Sequence, residues 1–112
     1  MLPDDSLCLA YVAAPDKECA LRLARGLVEK ELAACVNIIA IDASVYRWDG
    51  KISESGEYLL LAKTLVSRYA SLQEWVVQNH PYDTPCVVRI DAADALPAFS
   101  AWIEGAVDKR KI

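Results

Sequence analysis

The sequence predicts an α+β fold: a ferredoxin-like βαββαβ sandwich with an extra C-terminal helix and a long central β-hairpin. Short apolar runs typical of strands alternate with segments whose apolar residues recur at helical spacing. Asp49-Gly50 is a strong two-residue hairpin signal, because a type I′ turn needs positive φ at both central positions. A length of 112 residues and a hydrophobic content of 54% fit one domain with a real core, so we expect residues 1–112 to form a single domain.

The first part of the chain is predicted to form a strand, a helix and a strand. Residues 6–14 are a short apolar run without helical caps, which suits a buried strand. Asp16 is the expected N-cap of the helix that follows, which ends near residues 30–32. Residues 34–41 and 44–48 are β-rich and lead into the hairpin turn.

The central part of the chain returns as a strand and then becomes a helix. Residues 51–55 and 57–65 continue the hairpin, with Gly56 marking a bulge or a bend. Ser67 is the expected cap of the second helix. That helix ends at His80-Pro81, because a residue before proline is disfavoured in the helical region.

The last part of the chain is predicted to form a strand and a short helix. Residues 86–90 are the fourth strand. Asp94 is expected to cap the last helix, with Pro97 in its first turn, where a missing N–H costs little. The predicted buried stripe of this helix consists of Leu96, Phe99, Trp102, Ile103 and Ala106.

Charge and composition argue against two classes of partner. The net charge is −4, which does not suit a nucleic-acid surface, and the basic cluster Lys109-Arg110-Lys111 is expected to be a solvated tail. No apolar run approaches the ~20 residues of a membrane span. The acidic N-terminus lacks the basic region of a secretory signal, so we expect a cytoplasmic protein.

The hairpin strands are too long for a chain of this size to cover. From about Val36 to Leu65 the chain is almost all strand around one turn, so each arm exceeds the usual ~5–6 residues. Tyr46, Trp48 and Ile52 would form an exposed apolar edge, which is an aggregation hazard unless another chain covers it. We therefore predict strand pairing between subunits in a closed oligomer; the alternative is a twisted, free hairpin.

The segment His80-Pro81-Tyr82-Asp83-Thr84-Pro85 has the residue types of a site. It contains the only histidine of the chain, and imidazole is a common metal ligand that titrates near neutral pH. The four cysteines are widely spaced with no C-x-x-C pair, so a closed zinc site is not expected. In a reducing compartment, such cysteines behave mostly as small buried hydrophobes.

Several motifs in order resemble those of one known family. They include segments from Leu32 to Ile39, S-x-Y-x-W-x-G-x-I from Ser44 to Ile52, Glu57, Lys63-Thr64, His80-Pro81-Tyr82-x-x-Pro85 and Phe99-x-x-Trp102. By these residues the chain resembles CutA, the divalent-cation tolerance proteins. The match runs from about Leu7 to Trp102, so it covers nearly the whole chain.

The resemblance implies a ferredoxin-like subunit in a tight homotrimer that is related in architecture to PII signalling proteins. It also implies a role in tolerance of divalent metals, with copper binding as a family property and no established enzymatic reaction. One residue departs from the pattern: the family usually has Glu after H-P-Y-x-x-P, whereas this chain has Cys86. A soft thiol there would favour copper or zinc over cations that prefer carboxylates.

The first functional hypothesis is a metal-responsive trimer that binds copper(II) or another divalent cation. His80 is the natural ligand, and Cys35 and Cys86 are the candidate thiolates. A trimer would help by bringing ligands from neighbouring subunits together. The alternative is that His80 ends a helix and is satisfied by hydrogen bonds.

The second hypothesis is a PII-like small-molecule sensor with ligand clefts between subunits. Lys63 would pair with an anionic group, Tyr82 and Thr84 would donate hydrogen bonds, and Glu57 would accept one. The alternative for Lys63 and Glu57 is an ordinary solvated pair.

An enzyme is the least favoured hypothesis. His80 as a base with Asp83 or Glu57, or a nucleophilic cysteine, is conceivable. The sequence has no strict catalytic motif, so we predict a protein without catalytic residues.

Overall fold

The order of elements predicted from the sequence is confirmed. The computed structural model describes residues 6–107; the basic cluster Lys109-Arg110-Lys111 lies outside the described residues. The strands form one antiparallel sheet in the order β2-β3-β1-β4. The elements are β1 (Leu7–Ala14), α1 (Lys17–Glu29), β2 (Cys35–Trp48), β3 (Lys51–Leu65), α2 (Val66–Asn79), β4 (Val87–Asp91) and α3 (Pro97–Val107).

The core lies between one face of the sheet and the helices α1 and α2. Side chains alternate across a strand, and every second residue of β1 from Cys8 to Ala14 and of β3 from Leu60 to Thr64 is fully buried on this face. Most of them pack with Leu23 of α1 and Leu72 of α2. The predicted cap of α1 is confirmed, because Asp16 Oδ1 accepts from the backbone N–H of the third helical residue at 2.7 Å.

Helix α3 packs on the opposite face of the sheet and covers one end of it. Ile103 and Val107 form a small cluster with Leu65, whose partner Leu7 lies on the same face. The other described helices leave the rest of this open face uncovered, including the partly exposed residues Ile39, Val88 and Ile90. None of the described helices has the length and apolar character needed to cross a membrane.

The hairpin of β2 and β3 extends well beyond the helices. The strands have 14 and 15 residues, and β3 at about 3.3 Å per residue matches the 48 Å longest dimension of the molecule. Asp49 and Gly50 adopt φ of 52° and 77°, which confirms the predicted turn.

A bulge occurs opposite Gly56, with its extra residue on β2. Ile41 pairs with Glu57 and Ser44 pairs with Ser55, so two residues of β2 face Gly56 alone. The extra residue keeps Ile41 and Ser44 on the same face of the sheet, because strand residues otherwise alternate. We call residues 42–55, from the bulge to the turn and back, the arm.

Two predicted helix caps are wrong because the backbone makes the contacts instead. Ser67 lies inside α2, which follows β3 directly; the N-cap is Leu65 without a side-chain bond, and the Val66 N–H donates to the carbonyl of Ser6 at 2.9 Å. Asp94 accepts from the adjacent Ala95 N–H at 2.9 Å rather than from α3. The carbonyl of Leu96 accepts the first N–H bonds of α3.

The predicted buried stripe of α3 is wrong in its N-terminal half. Ile103 is fully buried and Ala106 is partly buried, as predicted, but Leu96 is 70% exposed and Trp102 is 53% exposed. Phe99 stacks on Trp102 with ring centroids 5.9 Å apart rather than entering the core. The helix reaches the sheet through its C-terminal half, so its aromatic pair stays at the surface.

Candidate functional site

The single histidine is held between two backbone groups. His80 is the C-cap of α2, with an extended ψ of 142° as expected before Pro81, and its side chain is 8% exposed. Its Nε2 lies 2.8 Å from the carbonyl oxygen of Ala13, and the backbone N–H of Tyr82 donates to Nδ1 at 3.1 Å. Because an N–H can only donate, Nδ1 is the acceptor and Nε2 carries the proton. Both imidazole nitrogens are therefore hydrogen-bonded.

Both ends of the loop of residues 80–86 are hydrogen-bonded to one residue of β1, Ala13. The carbonyl of Ala13 accepts from the His80 imidazole, and its N–H donates to the carbonyl of Cys86 at 3.3 Å. Arg22 of α1 holds the preceding residue, since its Nη2 donates to the Asn79 carbonyl at 3.0 Å. The corner between α2 and β4 is thus fixed from β1 and from α1.

This loop places the Tyr82 ring against the ring of His80. The Tyr82 ring lies 4.9 Å from the His80 ring. Partial burial raises the pKa of the Tyr82 phenol, and the negative charge of Glu57 nearby raises it further, followed by Tyr46. Tyr82 is therefore a neutral phenol at physiological pH, and it is 43% exposed.

Lys63 and Cys35 lie at a different place on the sheet. They face each other across β2 and β3, and the Lys63 ammonium donates to the side-chain oxygen of Asn37 on the same face. Six residues of extended strand separate Lys63 from Glu57, which corresponds to about 20 Å. The predicted small-molecule set therefore falls into two groups in one subunit, with Glu57 and Tyr82 apart from Lys63. Thr84 lies exposed in the loop.

The three predicted metal ligands do not form one site within a subunit. Cys86 is exposed at the start of β4, and Cys35 is partly buried beside Lys63. Within residues 6–107 no group of three or more His, Cys, Asp or Glu side chains is arranged to hold a metal ion. The lone pair of His80 Nδ1 already accepts a hydrogen bond. The described residues of a single subunit therefore do not form a copper site by themselves.

Sequence reasoning missed Ala13 and Arg22, which fix the loop. Ala13 acts through its backbone, and a backbone carbonyl leaves no signature in the residue type. Arg22 bonds a backbone carbonyl 57 residues away, so its role depends on the packing of α1 against α2. The separation of Glu57 from Lys63, in contrast, follows from their predicted place on one strand.

The described part of the molecule also has an extensive apolar surface. Half or more of the residue surface is exposed at several large apolar residues on the arm, on β4, just before α3 and on α3, namely Val45, Trp48, Ile52, Val88, Leu96 and Trp102. Large exposed apolar areas are typical of interaction sites.

A family profile described as CutA1 divalent ion tolerance protein matches residues 8–106. The chain belongs to the CutA1 family. It is 42% identical over 98 residues to a Xenopus laevis protein named Protein CutA homolog, covering 88% of this chain and 65% of that protein. It is 40% identical to the Divalent-cation tolerance protein CutA of Archaeoglobus fulgidus, covering 88% of this chain and 95% of that protein. The chain thus spans slightly less than two thirds of the frog CutA relative and nearly all of the archaeal one.

Solved CutA structures have the same fold. The structure titled Periplasmic divalent cation tolerance protein CutA from Archaeoglobus fulgidus superimposes with a TM-score of 0.88 at 38% identity, covering 91% of this chain and 99% of that one. The crystal structure of CutA1 from Oryza sativa gives a TM-score of 0.89 at 36% identity, covering 93% and 95%. The predicted family and fold class are therefore confirmed.

Proposed function

We propose that this CutA1-family chain acts in divalent-cation tolerance as a closed homotrimer held together by its hairpin arms. The observation that carries the proposal is that large apolar side chains are exposed on both faces of the arm. Val45 and Ile52 share one face and are 65% and 63% exposed, whereas Trp48 on the other face is 72% exposed. An isolated arm of this kind would be an aggregation site.

The exposed surfaces favour a ring over a two-fold dimer. A single flat contact covers one face of a two-stranded ribbon, so an arm that is apolar on both faces needs two covering surfaces. A second apolar surface, formed by Val88 and Ile90, lies on the edge strand β4, while the arm belongs in part to the other edge strand, β2. Different patches that meet head to tail generate a ring when the rotation between subunits closes, and an open filament when it does not. The proposal is for the closed case, and three is the smallest ring in which each subunit has two neighbours.

We propose that the divalent cation is a cargo bound where subunits meet. A single subunit does not bring three ligands together among its described residues, whereas symmetry can supply ligands from neighbouring copies. Cys35 and Cys86 are the candidate donors, because neither is fully buried and thiolates prefer soft cations such as copper. The names of the relatives as divalent-cation tolerance proteins support this role. Copper(II) and a cytoplasmic location stay predictions; one structural relative is described as periplasmic.

Titration with Cd²⁺, a soft cation that does not change redox state, tests the proposal. The assembled protein should develop the ultraviolet absorption of cadmium–thiolate bonds, and Cys35→Ser and Cys86→Ser should each reduce it. Cys8→Ala is the matched control, because Cys8 is fully buried. Absence of the absorption in the assembled protein would overturn the cation part of the proposal.

A further inference from the structure

We propose that His80 is a positioning residue and not a cation ligand: its imidazole closes the loop of residues 80–86 onto β1 and fixes the backbone of Tyr82. This goes beyond the proposed function, because it assigns the one histidine of a cation-tolerance protein to the closure of its own chain. It stands on the hydrogen bonds of His80 whether or not the protein binds a cation.

The imidazole has no free position for a cation. Nε2 donates its proton to the Ala13 carbonyl, and the lone pair of Nδ1 accepts the Tyr82 N–H. A cation at Nδ1 would displace the Tyr82 N–H from its acceptor. A cation at Nε2 would require loss of the ring proton and of the bond to Ala13. Because the ring is 8% exposed, either change would also leave a poorly hydrated polar group without its partner.

The bond to Ala13 continues the sheet just before β4 begins. Within a strand, the N–H and C=O of one residue point to the same side, and Ala13 uses its N–H to bond Cys86. A regular antiparallel pair would return a bond from the Cys86 N–H to the Ala13 carbonyl, but this carbonyl bonds the His80 ring instead. The His80 ring supplies the missing donor, so the imidazole takes the place of a backbone N–H at the end of the β1–β4 ladder.

The bond to Tyr82 fixes the part of the loop that follows Pro81. Nδ1 accepts from the backbone N–H of Tyr82 at 3.1 Å, and the Tyr82 ring lies 4.9 Å from the His80 ring. Loss of the imidazole would therefore release the Tyr82 backbone and remove this ring contact. The Arg22–Asn79 and Ala13–Cys86 bonds would still hold the two flanks of the loop.

Nitrogen-15 NMR of the untagged, assembled protein tests the proposal directly, because the chain has one histidine and therefore one pair of imidazole signals. We expect a pyrrole-like Nε2 and a pyridine-like Nδ1, both unchanged on addition of ZnCl₂. The opposite tautomer, or a shift of either nitrogen on binding Zn²⁺, would overturn the proposal. If Cd²⁺ and Zn²⁺ fail to bind at all, the cation part of the proposed function fails, while the tautomer still tests the role of His80.

Two substitutions separate the two bonds. His80→Asn keeps an acceptor near the position of Nδ1, and His80→Gln keeps a donor near the position of Nε2. We expect the Tyr82 amide to exchange about fivefold faster in His80→Gln, as for the loss of one hydrogen bond, and at nearly the native rate in His80→Asn. Equal acceleration in both variants would show that Nδ1 does not hold Tyr82. If both variants fail to fold, the NMR measurement on the native protein decides.

Discussion

The body of the subunit and its arm are both rich in apolar residues, but only the body buries them within its own chain. In the body, Val12, Leu23 and Leu60 are fully buried between the sheet and two helices. In the arm, Trp48 and Ile52 are 72% and 63% exposed on the same two strands that cross the body. An apolar pattern therefore identifies side chains that must be covered by another apolar surface. The topology of the fold determines whether that surface belongs to the same chain.

The largest expected effect comes from the body. Leu60→Ala removes a fully buried side chain from the centre of the core and should lower the free energy of unfolding by about 2–5 kcal/mol. Leu96→Ala is the matched control; at 70% exposure it should change this free energy by less than about 0.5 kcal/mol in the isolated subunit. Urea denaturation of both variants measures the difference. If Leu96→Ala lowered the free energy of unfolding as much as Leu60→Ala, burial would not distinguish the two positions.

An intermediate effect is expected from the arm, and it should appear in assembly. Trp48→Ser removes an exposed indole that we place in the interface, where its burial contributes about 1.5–3 kcal/mol. The concentration at which the oligomer dissociates should rise by about tenfold or more, while circular dichroism remains native. Arg47→Ser is the control, because it removes a long polar side chain at the adjacent position, on the opposite face of the arm. An unchanged dissociation profile for Trp48→Ser would mean that the indole is free in solution.

The smallest expected effect is a difference in reactivity between a thiol of the core and a thiol at the surface. Burial raises the pKa of Cys8 from 9.0 to about 11. The positive charge of Arg89 opposes this shift, and the negative charge of Asp91 adds to it. Cys86, which is exposed, should therefore react with iodoacetamide at pH 8 while Cys8 remains unmodified in the folded protein.

The same shift determines how stability depends on pH. Between pH 9 and 11 the folded state keeps the Cys8 proton that the unfolded state has lost, so the free energy of unfolding should decrease as the pH rises through this range. Cys8→Ala should make the decrease shallower in denaturation curves recorded across these pH values. A decrease that is identical in the variant would assign the effect to other groups.

Features that depend on neighbouring residues could be predicted from the sequence. The Asp16 cap, the Asp49-Gly50 turn and the end of α2 before Pro81 each follow from local chemistry, and the structure confirms them. The bulge opposite Gly56 also has a local signal, although its extra residue lies on the partner strand.

Features that depend on distant backbone could not be predicted. The first N–H of α2 is bonded by the carbonyl of Ser6, so Ser67 was not needed as a cap. Likewise the His80 ring bonds the carbonyl of Ala13, 67 residues earlier in the chain. Residue types carry no record of such contacts, because every residue has the same carbonyl. The chemistry of the loop could therefore be suspected from sequence, but its bonding required the fold.

Native mass spectrometry of the purified chain at micromolar concentration tests whether the arm is covered by other copies of the chain. We expect one dominant species with three times the mass of a single chain, and we expect it to dissociate when Trp48 and Ile52 are both replaced by serine. A species with the mass of one chain would show instead that the apolar arm is exposed to solvent in the native protein.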